Sequence, residues 1–390
     1  MGTQGSAEFQ KQISRRIGSL QTPGQSPYQS EILSTASELS SFAVEFANLD
    51  GFAACPMQSY RWIQACALSF TEDRHCIVVL RYAGEVVGCA AFSQPAAENR
   101  LLPLGHELFE PTIFSCADEA ACEELLITVL ELNQSIFLRD VYGALPMSDA
   151  VKAACVGKRI CIERPMPAHP WLKLDQTWLD PEQHLNSGRR SDLRRARRQA
   201  EKQGVLSFLI ERPNAENVDA LMDEVFEVES RNWKGRTGSA MAYSPAIQRF
   251  YRTYARMAAE QGIARVLMMR VGDKTVAVQF GVEFNRRFWL LKMGYDETYS
   301  RCSPGMLLMV ESLRHATECG LEIYEMMGVR ESWNQVWTEH AHEAVSLRIY
   351  APGMRGMLGA SSDVVRAGLR RAIAKTEATR ATEKSAPEEK

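Results

Sequence analysis

The stretch KMGYDETYSRCSPGMLL, residues 292–308, decides how this chain is read. Its first residues close an apolar run, and its last residues open an amphipathic helix. Ser303-Pro304-Gly305 marks the switch between them. Proline suits the first turn of a helix, where a missing N–H costs nothing. Gly305 lets backbone approach a ligand closely. Arg301 adds a side-chain cation beside those amides, and Met306 begins the helix. A strand that runs into a helix start in this way presents unpaired N–H groups and the positive end of a dipole, which suits a phosphate or diphosphate.

Working outward, three strands are predicted before this junction, at Arg265–Val271, Thr275–Phe284 and Phe288–Gly294. Turns at Gly272-Asp273 and Asn285-Arg286 join them. Helix-like segments precede them at 215–232 and 245–262, the second carrying Phe250, Tyr254 and Met257 at helical spacing. After the junction a helix is predicted over Met306–Cys319, stopped by Gly320. A last strand, Leu321–Met327, ends at Gly328. A helical crossover makes that strand parallel to the one before the helix, which gives a mixed sheet.

A weak internal repeat extends the pattern upstream. LRYAGEVVGCAAF at 80–92 aligns without a gap on MRVGDKTVAVQFG at 269–281. Each reads as a hairpin preceded by an aromatic-bearing helix, Tyr60 and Trp62 in one copy, Phe250, Tyr251 and Tyr254 in the other. The predicted order is a loose leader at 1–30, one α/β unit at 31–180, a basic linking helix at 181–205, a second α/β unit at 206–350, and a C-terminal helix and charged tail at 351–390.

The bulk properties fit a soluble globular chain of more than one core. It has 390 residues, 45% hydrophobic and 24% charged, with a formal net charge of -3. That balance gives no bias toward DNA or a membrane. No apolar run is long enough to span a bilayer, and no secretory signal is visible. The ten cysteines form no CxxC pair and lie mostly in apolar runs, which predicts a reducing, cytoplasmic setting. The seven histidines are scattered and predict no metal site.

The run from about Leu193 to Tyr350 resembles the BioF2-like, or CelD-type, acetyltransferase domain of the GNAT superfamily, related to the FemAB peptidyltransferases. The matching pieces are WKGRTG at 233–238, Phe250-Tyr251, the paired strands, Lys292-x-x-Tyr295-Asp296-x-x-Tyr299, Ser303-Pro304-Gly305 with Leu307-Leu308, and Gly328. Gln58-Ser59-Tyr60-x-Trp62 and the hairpin at 77–92 are similar to the family's first half. The resemblance implies an α/β protein of two tandem GNAT-like domains side by side, acting on acetyl-CoA or another acyl-CoA.

It also implies site residues. Arg301, Ser303, Pro304, Gly305 and Met306 would bind the coenzyme. Asp296 or Glu297 would supply a base, and Tyr295 or Tyr299 a proton for the leaving sulfur, unless Tyr295-Asp296 is turn chemistry, since Asp commonly caps a loop. Lys292 either points into the cleft or snorkels outward. Trp233, Gly235 and Arg236 would form a loop over the acceptor pocket. Asn334 stands where relatives carry a lysine, so the acceptor here differs if that lysine binds it. The implied acceptor is a small molecule or glycan precursor bearing an amino or hydroxyl group, as in cell-envelope or polysaccharide synthesis.

Two other readings stand beside this one. Residues 189–204 hold seven Lys or Arg, which reads as a solvated bridging helix or as a platform for an anionic partner. Under the second reading the chain is a FemAB-like transferase that takes its acyl group from aminoacyl-tRNA. A non-catalytic GNAT-fold binding module is the third.

Overall fold

The computed structural model describes residues 27–96, 99–142, 146–231 and 244–366. The N-terminal half opens with β1 (Tyr28–Leu33), α1 (Ala36–Ser41), α2 (Phe46–Asp50) and α3 (Tyr60–Ser69). A meander of β2 (Arg74–Tyr82), β3 (Glu85–Gln94) and β4 (Arg100–Pro103) follows, with a short β5 (Ser115–Cys116) beside β3. Then come α4 (Glu119–Glu131), β6 (Ser135–Tyr142), α5 (Pro146–Cys155) and the long β7 (Cys161–Lys173).

The C-terminal half repeats the scheme. It runs α6 (Ser187–Glu201), β8 (Leu206–Glu211), α7 (Val218–Ser230), α8 (Pro245–Glu260), β9 (Ala264–Val271), β10 (Lys274–Phe284) and β11 (Arg287–Tyr295). It then continues through α9 (Pro304–Glu318), β12 (Ile323–Glu325) and β13 (Ala341–Ile349). The hairpins align as the repeat predicts. Ala83 and Gly84 both take left-handed φ between β2 and β3, and Gly272 does so between β9 and β10. The strand after α9 lies parallel to β11, as the crossover requires.

Among the described residues the strands join one mixed sheet in the order β1-β2-β3-β4-β6-β13-β7-β12-β11-β10-β9-β8, with β5 off this path beside β3. The halves exchange strands at its centre. β7 leaves the first half to pair antiparallel with β12 through Trp171–Lys173, and β13 leaves the second to lie between β6 and β7. The predicted break near residue 180 is therefore not a seam. One hydrophobic core runs through both halves: the Trp62 ring on α3 meets Phe250 and Tyr254 on α8 edge-on, each at 4.8 Å.

Two expectations change. β1 begins at Tyr28, inside the predicted leader, because its backbone completes the edge of β2. The basic helix does not bridge the halves: Leu193, Ala196 and Ala200 bury α6 in the core of the second half beside α9. Residues 354–366 are helical, within the stretch where a C-terminal helix was expected.

Candidate active site

β11 and β12 pair over only three residues, Arg287–Trp289 against Ile323–Glu325. Beyond them the strands part. β11 continues on β10 to Tyr295, while the chain after β12 follows β7, with Met326 N–H donating to the Pro170 carbonyl and Arg330 N–H to Ala168. A bulge between Phe280 and Gly281 bends the β10–β11 pair at this level. Gly281 is required there, since a Cβ would lie 2.6 Å from the Phe288 ring. The resulting fork is an open groove of about 280 Å³ walled by Leu290–Met293 and Met326–Val329. Met293, Glu331 and Trp333 carry it into a second cavity of about 350 Å³ at the start of α9.

The helix start has an unusual form. Ser303 sits at φ 41 and ψ 52, a left-handed cap whose side chain makes no capping bond. Its N–H donates to the Ser300 carbonyl, and its own carbonyl takes the N–H groups of Met306 and Leu307. Pro304 has no N–H, so in the first turn of α9 the Gly305 amide is the one left for a ligand. The expected convergence of several amides is corrected to one amide and the helix dipole. Gly305 is flanked by Met293 and Tyr295, each 3.7 Å from where a Cβ would stand. Arg301 is exposed on the adjoining turn, Glu297–Cys302.

The remaining candidates divide. Tyr295 and Met306 line the cavity with Ser303, Pro304 and Gly305, and Lys292 lines the fork. The Lys292 ammonium lies 4.9 Å over the Tyr251 ring. Asp296 is buried. Its carboxylate caps the 297–302 turn through the Thr298 N–H at 2.9 Å and hydroxyl, and pairs with Lys274 at 2.8 Å. Burial raises its pKa, but the Lys274 ammonium and both Thr298 bonds outweigh this and hold it below the usual value. Tyr299 lies under Lys274, 5.0 Å from the ammonium, and does not line the cavity.

Asn334 requires a correction. It is fully buried, its amide donating to the Val329 carbonyl at 2.9 Å and accepting from the Glu331 N–H at 2.9 Å. Both ends of the amide tie down their own loop, so none is left for an acceptor. Trp233, Gly235 and Arg236 lie outside the described residues. Cys302 is buried against Gln203, and burial pushes its thiol up, away from nucleophilic use. Among the described residues, Glu283, His315 and Cys319 bring ligand atoms within 4.8 Å of one another. The Arg265 guanidinium already lies on that carboxylate, which disfavours a second cation.

Sequence reasoning missed three groove residues. Glu331 and Trp333 wall both cavities, with the indole N–H on the Glu331 carboxylate at 3.0 Å. Their proximity to Gly328 was the available signal. Glu110 reaches the fork from the other half, and no local pattern announces it.

Residues 187–335 match the family model described as an acetyltransferase (GNAT) domain. None of the curated proteins compared matches the chain. Solved structures do. A conserved protein of unknown function from Bacteroides thetaiotaomicron is 11% identical, with a TM-score of 0.53 over 82% of this chain and 99% of that one. The C-terminal DUF2156 domain of a putative lysylphosphatidylglycerol synthetase from Agrobacterium fabrum is 12% identical, with a TM-score of 0.53 over 85% and 97%. FemX is 12% identical, with a TM-score of 0.52 over 83% and 97%. At such identities the likeness is one of fold. The chain has the fold of two GNAT-like α/β units, and residues 187–335, in the second of them, match the model of a GNAT acetyltransferase domain.

Proposed function

We propose that this chain transfers an acyl group from acetyl-CoA or another acyl-CoA to an amino or hydroxyl group of a small-molecule or glycan-precursor acceptor, as a BioF2-like, CelD-type member of the GNAT superfamily. The observation that carries the reading is the open fork between β11 and β12, continuous with the uncapped start of α9.

The residues there fit a CoA ester. The Gly305 amide and the α9 dipole face the cavity from a helix start that carries no acidic residue, with Arg301 on the adjoining turn, which suits a diphosphate; the Glu331 carboxylate on the cavity wall is taken up by the Trp333 indole N–H. Met293 and Trp333 flank the passage from that cavity into the fork, which suits a thin, mostly apolar arm. A CoA ester held in this way supplies a thioester carbonyl to the fork.

The chain's own groups then have separate tasks. Tyr295, on the cavity wall, is assigned the proton for the departing sulfur. Lys292 is assigned to orienting polar groups in the fork. Asp296, already surrounded by donors, is assigned to holding the 297–302 turn rather than to removing a proton, and Tyr299 with Lys274 to the same task.

Isothermal titration with acetyl-CoA and longer acyl-CoAs tests the reading. Saturable binding of at least one of them is expected. No heat from any of them at millimolar concentration would overturn it.

One observation favours a second reading. Arg189, Arg194, Arg198 and Lys202 are all exposed along α6. If they hold aminoacyl-tRNA as the donor, its affinity falls steeply with salt, and filter binding at rising ionic strength measures that slope.

A further inference from the structure

The loop between β4 and β5 crosses from the first half to the fork of the second. Its backbone is strained to do so. Phe109 takes φ 58 and ψ 27, a region that bulky residues adopt at a cost, and Gly105 takes φ 79. The Thr112 N–H holds the loop to the Asp140 carbonyl at 3.2 Å, and the Arg139 guanidinium lies 5.0 Å from the centre of the Phe109 ring. Leu108, Phe109 and Glu110 are thereby set into the wall of the groove opposite Leu290–Met293.

Glu110 makes no ion pair among the described residues. The ionisable groups facing it come from four elements: Lys292 on β11, His169 on β7, Asp140 on β6 and Tyr251 on α8. His169 and Asp140 are buried and meet each other at 3.3 Å. Burial drives the Glu110 carboxyl up and Asp140 adds to the rise, while Lys292, His169 and the Tyr251 hydroxyl pull it down; it comes to rest at about 7.

We propose that Glu110, supplied by the N-terminal half, is the catalytic base for an amine acceptor bound in the fork between β11 and β12. The inference rests on the acyl-CoA reading above and narrows it to N-acylation. The acceptor enters as an ammonium, drawn to a groove whose carboxylates are Glu110 and Glu331. Glu110 takes one N–H proton. The freed nitrogen lone pair attacks the thioester carbon, so that a C–N bond forms and the C–S bond breaks. The sulfur leaves as thiolate and takes the second nitrogen proton through Tyr295 or water, and Glu110 returns its own proton to solvent. An alkylammonium ionises roughly three units above such a carboxyl, within reach of proton transfer. A hydroxyl, close to water in acidity, lies roughly nine units above it.

The test uses the full chain with acetyl-CoA as donor and n-butylamine or n-butanol as probe acceptors, reading release of the CoA thiol. Expected for the native chain is release stimulated by the amine and not by the alcohol, with an acidic limb near pH 7. Glu110→Gln should lower the amine-dependent rate by about 100-fold or more and abolish that limb. Its acetyl-CoA affinity should stay within about twofold. Glu110→Asp, which keeps the carboxyl, should retain an intermediate rate and guards against simple misfolding of the Gln variant. Full activity in Glu110→Gln would overturn the inference, as would preference for the alcohol. So would a native chain that binds acetyl-CoA yet shows no amine-dependent release. Failure to bind acetyl-CoA at all would instead remove the donor reading, and this inference with it.

Discussion

The two halves carry the same helix start in opposite states. In the second, α9 begins behind Ser303, whose side chain caps nothing, and the fork beside it is open. In the first, α4 begins behind Asp118, whose carboxylate accepts the Ala121 N–H at 2.8 Å, with Glu119 next to it. β4 and β6 also pair briefly, Arg100–Leu101 against Ser135–Ile136, and then part. That fork is filled by the chain's own 104–114 segment, burying Leu104, Leu108 and Phe114 and leaving about 60 Å³. A duplicated topology therefore gives one diphosphate-compatible corner and one corner closed by apolar side chains and negative charge. The segment that closes the first fork is the one that delivers Glu110 to the second.

That division of labour needs both halves in one rigid body, so the most damaging change should lie in their shared core. Trp62→Ala should cost about 3–5 kcal/mol while unfolding stays a single transition by calorimetry. Two separated transitions would mean that the halves fold independently and that Glu110 is not held in place by packing.

The position of Glu110 should carry a cost in stability. Its folded pKa, about 7, lies above its ordinary value of 4.5, so the fold resists its ionisation and loses stability as pH rises between the two. Glu110→Gln should therefore stabilise the protein at pH 8 by up to about 3 kcal/mol and change little at pH 4, measured by denaturant titration.

The two cap carboxylates sharpen the contrast further. Asp296 has a depressed pKa, so its contribution is full above the ordinary aspartate value and fades as pH falls through the folded one. Asp296→Asn should cost about 2 kcal/mol at neutral pH and less in acid. A large loss of turnover without loss of stability would restore it as a base. Asp118→Ala should cost only about 1 kcal/mol in thermal unfolding and leave acetyl-CoA binding unchanged.

Much of the second half was legible because local signals agreed. Apolar runs separated by Gly272-Asp273 and Asn285-Arg286 gave β9–β11, and Pro304 and Gly320 bracketed α9. The strand exchange was hidden. β7 carries Pro165, Pro167 and Pro170, residues that argue against a strand inside a sheet. β13 lies beside β6, more than two hundred positions away in sequence, and beside β7, which is almost as distant. The cavity position of Ser303, Pro304 and Gly305 was readable from the helix start. Asn334 was misjudged because its side chain is used by neighbours three to five residues away, and Asp296 stayed ambiguous because a turn cap and a base share one residue type. Glu110 owes its place to packing between halves, which no single window of sequence contains.

Native mass spectrometry of the chain with acetyl-CoA, alone and as Gly305→Asp, measures the asymmetry itself. The expected result is one coenzyme per native chain and none on the variant, whose new carboxylate would stand between Met293 and Tyr295 at the start of α9. Two per chain, none on the native protein, or an undiminished adduct on Gly305→Asp would contradict it.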